Sequence, residues 1–461
     1  MSTEFWEARP ALRHVLTVAR ARRVGPWAVL GVVLARAAAT VPPSVALPKT
    51  VGSRMSLNLF IALVGPSGGG KGAATATAME CFHFSGPHVQ IIPNGSGEGV
   101  SRTFRPIGTK PDDPNPVSAA IFDCPEVDTL FAIASRQGST VSAELRKMYS
   151  GEQLGFANAG KDTRSIVEAG SYRACQIVGV QPLRSGPLIT ASDGGLPQRF
   201  AWLPTSDPEA PDEPPPDPGV WKIRTPAWNR TQPGHLRLVG QEQELAIPDA
   251  ASKAIVAHRQ AVLREDPNVD PLDGHALLTR LKIAAALMAL DGRTIVTAAD
   301  WSLAGYVMDV STWTRERCQR ALIEQSRSAN TARALAAADR EEIVSDRRLQ
   351  RCKDGILRAL SRAPDGRPVP HNQLRRSLKS DVRDYFDAAA NDLSNEGRIT
   401  ARRTPKGVVY QGPPVDHTST PSDLHKHGVD HRSTVDHQPP RRRQRTRGKN
   451  RATQQTGDRT A

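Results

Sequence analysis

Between Ser56 and Leu203 short apolar runs alternate with helical or glycine-rich stretches. The runs predict strands over residues 57–64, 89–92, 119–122, 174–180 and 200–203. Such alternation points to an α/β layer whose ligand chemistry sits at the carboxyl ends of the strands. Upstream, residues 5–40 show helical periodicity and stop at Pro42-Pro43, which predicts a helical extension packed on the α/β layer. Downstream, residues 206–219 are acidic and proline-dense, a composition that forms neither helix nor central strand.

Beyond that break, 250–263 and 275–290 read as amphipathic helices, and Thr297-Ala298-Ala299-Asp300 caps another that runs to about residue 324. Further helices are expected over 348–361, 370–378 and 381–396, then a hairpin from 398–403 and 407–411. Three helices and a hairpin in this order predict a winged helix-turn-helix. The expected organisation is therefore a helical extension (1–48), an α/β core (49–205), an acidic linker (206–225), a helical domain (226–340), the winged helix (341–412) and a disordered basic tail (413–461).

A length of 461 residues suits two or three domains. The net charge of +14, carried mostly by arginine, favours an anionic partner. Nucleic acid is preferred to membrane, because the longest apolar run, 25–35, is stopped by Arg36. Residues 20–38 imitate a secretion signal, but the long preceding region with Glu4 and Glu7 makes them a mature helix. Five scattered cysteines without a Cys-x-x-Cys pair argue against zinc and a disulfide framework, and fit a reducing cytoplasm. Three Val-Asp-His triplets, at Val415, Val429 and Val435, lie in the tail, where no helix or turn fixes them as metal ligands.

The sharpest chemical signal comes directly after the first strand. Gly65-Pro66-Ser67-Gly68-Gly69-Gly70-Lys71-Gly72-Ala73 is a glycine-rich turn that runs into a helix, the layout of a phosphate-binding loop. Glycines let successive backbone N–H groups curl around phosphates while Lys71 reaches their oxygens, so a nucleoside triphosphate, ATP, is the expected ligand. The Ser or Thr whose hydroxyl holds Mg²⁺ is replaced by Gly72, which supports nucleotide binding better than hydrolysis; Thr75 or a water is the substitute to consider. Asp123 ends an apolar strand and is the candidate for the Mg²⁺ shell, through water. Glu98 and Glu126 compete as the base that orients water, Gln181 stands where an amide touches phosphate, and Arg199 is the candidate arginine finger towards a neighbouring subunit.

The order of the Lys71 loop, Gly97-Glu98-Gly99, Asp123 with Glu126, Val180-Gln181-Pro182 and residues 195–200 resembles the RecA/AAA-type ATPase domain of plasmid, prophage and integrative-element replication proteins, the helicase half of primase-helicases. Residues 26–48 leading into Ser56-Leu57-Asn58-Leu59-Phe60 are similar to actinobacterial members, and the resemblance covers about 27–309. It implies a P-loop NTPase (RecA-like) core with a helical lid, a DNA-dependent ATPase, and a homo-oligomer such as a hexameric ring. Glu98 would then hold the position of the RecA-like glutamate, and Arg280 would reach nucleotide from the lid.

DNA contact is expected at Arg375, Arg376 and Lys379 and, in the wing, at Arg398, Arg402, Arg403 and Lys406. The third helix carries Asp381, Asp384, Asp387, Asp392 and Glu396, whose charge opposes phosphate, so protein docking is the rival role for this domain. Arginines in 441–449 would add sequence-blind affinity. Two functions stand as alternatives: a replication ATPase, or a non-hydrolysing regulator or origin-binding protein that uses nucleotide as a switch.

Overall fold

In a computed structural model the described residues are 3–86, 89–104, 117–137, 139–157, 166–226, 228, 243–270 and 272–413. The five apolar runs form one parallel sheet: β1 (Phe60–Val64), β2 (Gln90–Pro93), β3 (Ala119–Cys124), β4 (Arg173–Val180) and β5 (Phe200–Pro204), in the order β2-β3-β4-β1-β5. β1, β4 and the edge strand β5 are buried at every position, as expected of parallel strands covered on both faces. Alternate residues serve two cores. Ile61, Leu63, Ile177 and Leu203 join one, while Phe60, Ala62, Val178 and Trp202 join the other.

The N-terminal periodicity resolves into α1 (Thr3–Glu7), α2 (Pro10–Ala21) and α3 (Pro26–Thr40), with prolines at the starts of α2 and α3. In α3, 14 of 15 residues are buried, so the run that imitates a secretion signal is a core helix laid on the sheet. Gly31 permits this approach: a Cβ there would lie 2.7 Å from Leu203 and 2.9 Å from Ile61. No helix among the described residues is long and apolar enough to cross a membrane.

Arg173, at the start of β4, is fully buried and ties α3's exit to the sheet. Its guanidinium donates to the carbonyls of Val41 (3.1 Å), Pro42 (2.8 Å) and Val45 (2.7 Å) and to Ser56 Oγ (2.9 Å). The acidic segment 206–219 carries no helix or strand, but it is not a free spacer. Arg20 of α2 donates to Asp207 (2.9 Å) and Arg22 to Asp217 (2.9 Å), and Trp221–Ile223 then pairs in parallel with Phe82–Phe84. The remaining helices of the core are α4 (Lys71–Cys81), α5 (Gly97–Phe104), α6 (Val127–Ala134), α7 (Val141–Ser150), α8 (Gly186–Thr190), α9 (Asp249–Leu263) and α10 (Asp273–Leu290).

The chain divides into two units, Met1–Leu335 and Ala336–Ala461. The helices expected to end near 324 and to begin at 348 are one 64-residue helix, α11 (Ala298–Ser361). Residues 306–354 hold neither glycine nor proline and are rich in Ala, Arg and Glu, so nothing there stops a helix. Within the second unit, the end of α11, α12 (His371–Ser377) and α13 (Phe386–Asn395) pack through Ile356, Leu360, Leu374, Phe386 and Leu393. A small antiparallel sheet completes it: β6 (Val369–Pro370), β7 (Thr400–Thr404) and β8 (Gly407–Gln411), in the order β6-β8-β7. Apart from Pro413, the tail (413–461), with its Val-Asp-His triplets and arginine run, lies outside the described residues.

Candidate functional site

β1 delivers the glycine-rich loop to the carboxyl edge of the sheet, between β4 and β5, where crossovers leave in opposite directions. Crevices at such switch points receive ligands in open α/β sheets. The Gly65 N–H donates to Val180 (3.0 Å) and the Thr205 N–H to Val64 (2.9 Å), which fixes the loop's base. Residue 65 must be glycine, since a Cβ would fall 2.0 Å from Thr205 Oγ1. Gly68 (φ +74°) and Gly70 (φ +81°) take left-handed conformations that disfavour side chains, and the helix α4 starts directly after them. The first N–H groups of α4 have no partner within the helix and, with its dipole, suit an anion. Lys71 Nζ folds back over the loop to donate to the carbonyls of Gly65 and Pro66, both at 3.2 Å. Pro66 and Ser67 are exposed, as are Gly72 and Ala73.

Gly179 was not singled out in the sequence, although a glycine inside an apolar strand signals close approach of another backbone. A Cβ there would sit 1.9 Å from the Pro125 carbonyl oxygen and 3.3 Å from Lys71 Cε. The segment after β3 therefore crosses β4 beside Lys71. It carries Glu126, whose exposed carboxylate accepts a hydrogen bond from Gln181 Nε2 at 3.1 Å. Lys71, Glu126 and Gln181 thus share one edge of the sheet.

Asp123 is placed differently from the expectation that it stands beside the loop. It pairs with Ile177, which in turn pairs with Ile61, so it lies level with a residue four before Gly65. Gly179, against which Lys71 Cε lies, is two residues on from Ile177, so Asp123 is about 7 Å down the strand direction and about 5 Å across from that point. Asp123 is half-buried, and burial pushes its carboxyl above the ordinary range. Glu98 lies in the first turn of α5, after the edge strand β2, three strands across the sheet from β1. Its carboxylate accepts from Thr140 Oγ1 at 3.4 Å. A reciprocal amide pair, Asn94 with the buried Gln176 (2.8 and 2.9 Å), links the end of β2 to the middle of β4, and sequence reasoning missed it because neither residue belongs to a recognisable pattern.

Arg199 is not a free finger. It immediately precedes β5, at the amino edge of the sheet, opposite the loop, and is 8% exposed. Its guanidinium donates to the Gly194 carbonyl and lies over the Tyr149 ring at 5.7 Å. Arg280 is likewise engaged: it donates to the Trp301 carbonyl (3.1 and 3.0 Å) and stacks on that ring.

Mg²⁺ is the ion that this loop type implies, and the donors around it decide whether it could be held. Residue 72 has no hydroxyl, Thr75 Oγ1 lies one helical turn farther from the loop, and Asp123 lies one strand across from Gly179 and two residues below it. Glu126 is the carboxylate beside the loop, held by Gln181. The fit to a protein-held Mg²⁺ therefore fails at residue 72, where this loop type supplies the hydroxyl that ligates the ion directly. Among the described residues no three His, Cys, Asp or Glu side chains gather as a metal site, and all five cysteines are free and buried.

In the second unit, three carboxylates on and around α13 form ion pairs at the surface, while Asp384 and Asp387 stay exposed. Asp392 and Glu396 pair with Lys353 (2.8 and 2.9 Å), and Asp381 pairs with Arg351 (2.9 Å). Arg402, Arg403 and Lys406 are exposed on the β7–β8 hairpin, as are Arg376 and Lys379. Arg375 is partly used by Asp384 (3.8 Å) and Arg398 by Glu396 (3.7 Å). No family model matches this chain, and no curated protein matches it.

Proposed function

We propose that this chain binds ATP at residues 65–73 and acts on DNA as a helicase-type ATPase in the replication of a mobile element or phage. The observation that carries the reading is the loop itself. A buried parallel strand leads through two left-handed glycines to an unpartnered helix start, with Lys71 folded over it at a topological switch point. Glu126 with Gln181, rather than Glu98, is the pair at phosphate level and takes the role of orienting water. The replication context and the choice of adenine rest on the resemblance to mobile-element replication ATPases. The P-loop core would serve with the C-terminal winged helix, whose hairpin offers Arg402, Arg403 and Lys406 to DNA phosphates.

DNA-stimulated phosphate release tests this reading. Wild type is expected to turn over ATP faster with DNA, Lys71→Ala to lose both binding and turnover, and Glu126→Gln to keep binding but lose turnover by about 100-fold. ATP binding without turnover under all conditions would replace the motor by the second reading, a nucleotide-held switch, which Gly72 favours.

A further inference from the structure

The misfit to Mg²⁺ is specific to one position. Residue 72 is exposed, its backbone is helical, and a Cβ built there meets no atom within 4 Å. A serine or threonine would fit without displacing anything, so packing does not demand the glycine. The neighbouring hydroxyl and the strand-end carboxylate stand elsewhere: Thr75 is one helical turn farther along α4, and Asp123 comes from a strand two across from β1, level with Ile61. Phosphate is left with the fixed set of N–H groups at the start of α4 and the Lys71 ammonium, and both recognise oxygen atoms directly.

We infer that this site holds nucleotide phosphates without the hydroxyl ligand that residue 72 would give Mg²⁺, so that nucleotide affinity is indifferent to the metal, and that Gly72 sets this property. The inference rests on the proposed ATP site and specifies how that site treats its ligand. Mg²⁺ that arrives on the nucleotide stays coordinated by phosphate and water and gains no contact from residue 72.

Titration calorimetry of the full chain with ATP, in excess EDTA and in excess MgCl₂, decides the matter. Wild type is expected to bind within about 3-fold in the two conditions, under about 1 kcal/mol. Gly72→Thr is expected to bind at least about tenfold more tightly with Mg²⁺ than with EDTA. Gly72→Ser is the second variant should the β-branched residue perturb α4, and circular dichroism monitors the fold of each. Wild-type binding that weakens more than about tenfold in EDTA overturns the inference while leaving the loop as the ATP site. Metal-indifferent binding by wild type and by both well-folded variants overturns the role given to Gly72. Equal binding by Lys71→Ala, or none by wild type in either condition, overturns instead the ATP reading on which the inference rests.

Discussion

At the scale of single residues, the candidate site depends on where side chains are absent as much as on where they are present. Gly179 gives Lys71 and the Pro125 carbonyl the same space, so Gly179→Ala must shift one of them. That substitution is expected to cost about 1–3 kcal/mol of stability and at least about tenfold in ATP affinity; titration that finds unchanged affinity would remove Lys71 from the site. A second residue-scale prediction concerns His275, which is partly buried near Arg199 and Lys282. Burial and these two cations depress its imidazole from 6.5 to about 4. The unfolded chain therefore takes up the proton first as pH falls, and stability is lost between pH 6.5 and about 4, by at most about 3 kcal/mol. Urea midpoints across that range should slope less in His275→Gln than in wild type. Equal slopes would show that other groups carry the acid sensitivity.

At the scale of elements, the start of α11 is the clearest case in which a local sequence pattern became tertiary structure. Thr297 and Asp300 form the reciprocal cap that their spacing predicts: the Asp300 carboxylate accepts from Thr297 N (2.7 Å) and Thr297 Oγ1 accepts from Asp300 N (3.3 Å). The same buried carboxylate also binds Arg293 (2.6 Å) and Arg9 (2.7 Å), a long-range partner that spacing does not reveal. Asp300→Ala is therefore expected to cost about 2–3 kcal/mol, more than the roughly 1 of an ordinary cap loss, since it also takes a buried partner from two guanidinium groups that keep only Asp291 as a carboxylate. Chemical denaturation measures it, and a loss near 1 kcal/mol would mean that the arginines find other partners. The strands were legible for a simple reason: inner parallel strands are apolar throughout, and all five runs entered the sheet within a few residues of the expected ends. The length of α11 was not, because no breaker marks the middle and only the absence of one tells against a stop.

At the scale of the whole molecule, the positive charge acquires a direction only through pairing. Three of the five acids that counted against DNA contact, Asp381, Asp392 and Glu396, pair with Arg351 or Lys353, while Asp384 and Asp387 stay exposed and the hairpin keeps Arg402, Arg403 and Lys406 exposed. Replacing these three by alanine is expected to weaken DNA binding across sequences and to lower the slope of log affinity against log salt by about 2–3. Fluorescence anisotropy at several salt concentrations reads the slope. No change would assign the hairpin to protein docking. Ring assembly, if ATP induces it, must complete its sites with a residue other than Arg199, whose guanidinium is enclosed by Gly194 and Tyr149.

The sequence alone determined the parallel α/β layer, the glycine-rich turn with Lys71, the cap at Thr297 and the helices and hairpin of the C-terminal unit. Each rests on contacts between residues close in the chain or on a periodicity that needs no partner. Tertiary structure decided which chemistry-bearing residues meet. Strand register, set by pairing across β1, β4 and β3, drops Asp123 below the loop and brings Glu126 to Gln181. Parallel pairing of β1 with β5 puts Arg199, which precedes its strand, at the opposite edge from Lys71, which follows its own. A shift of one residue along a strand moves a side chain by about 3.3 Å and to the other face. No local pattern encodes that offset, because it depends on which strands pair and in what register.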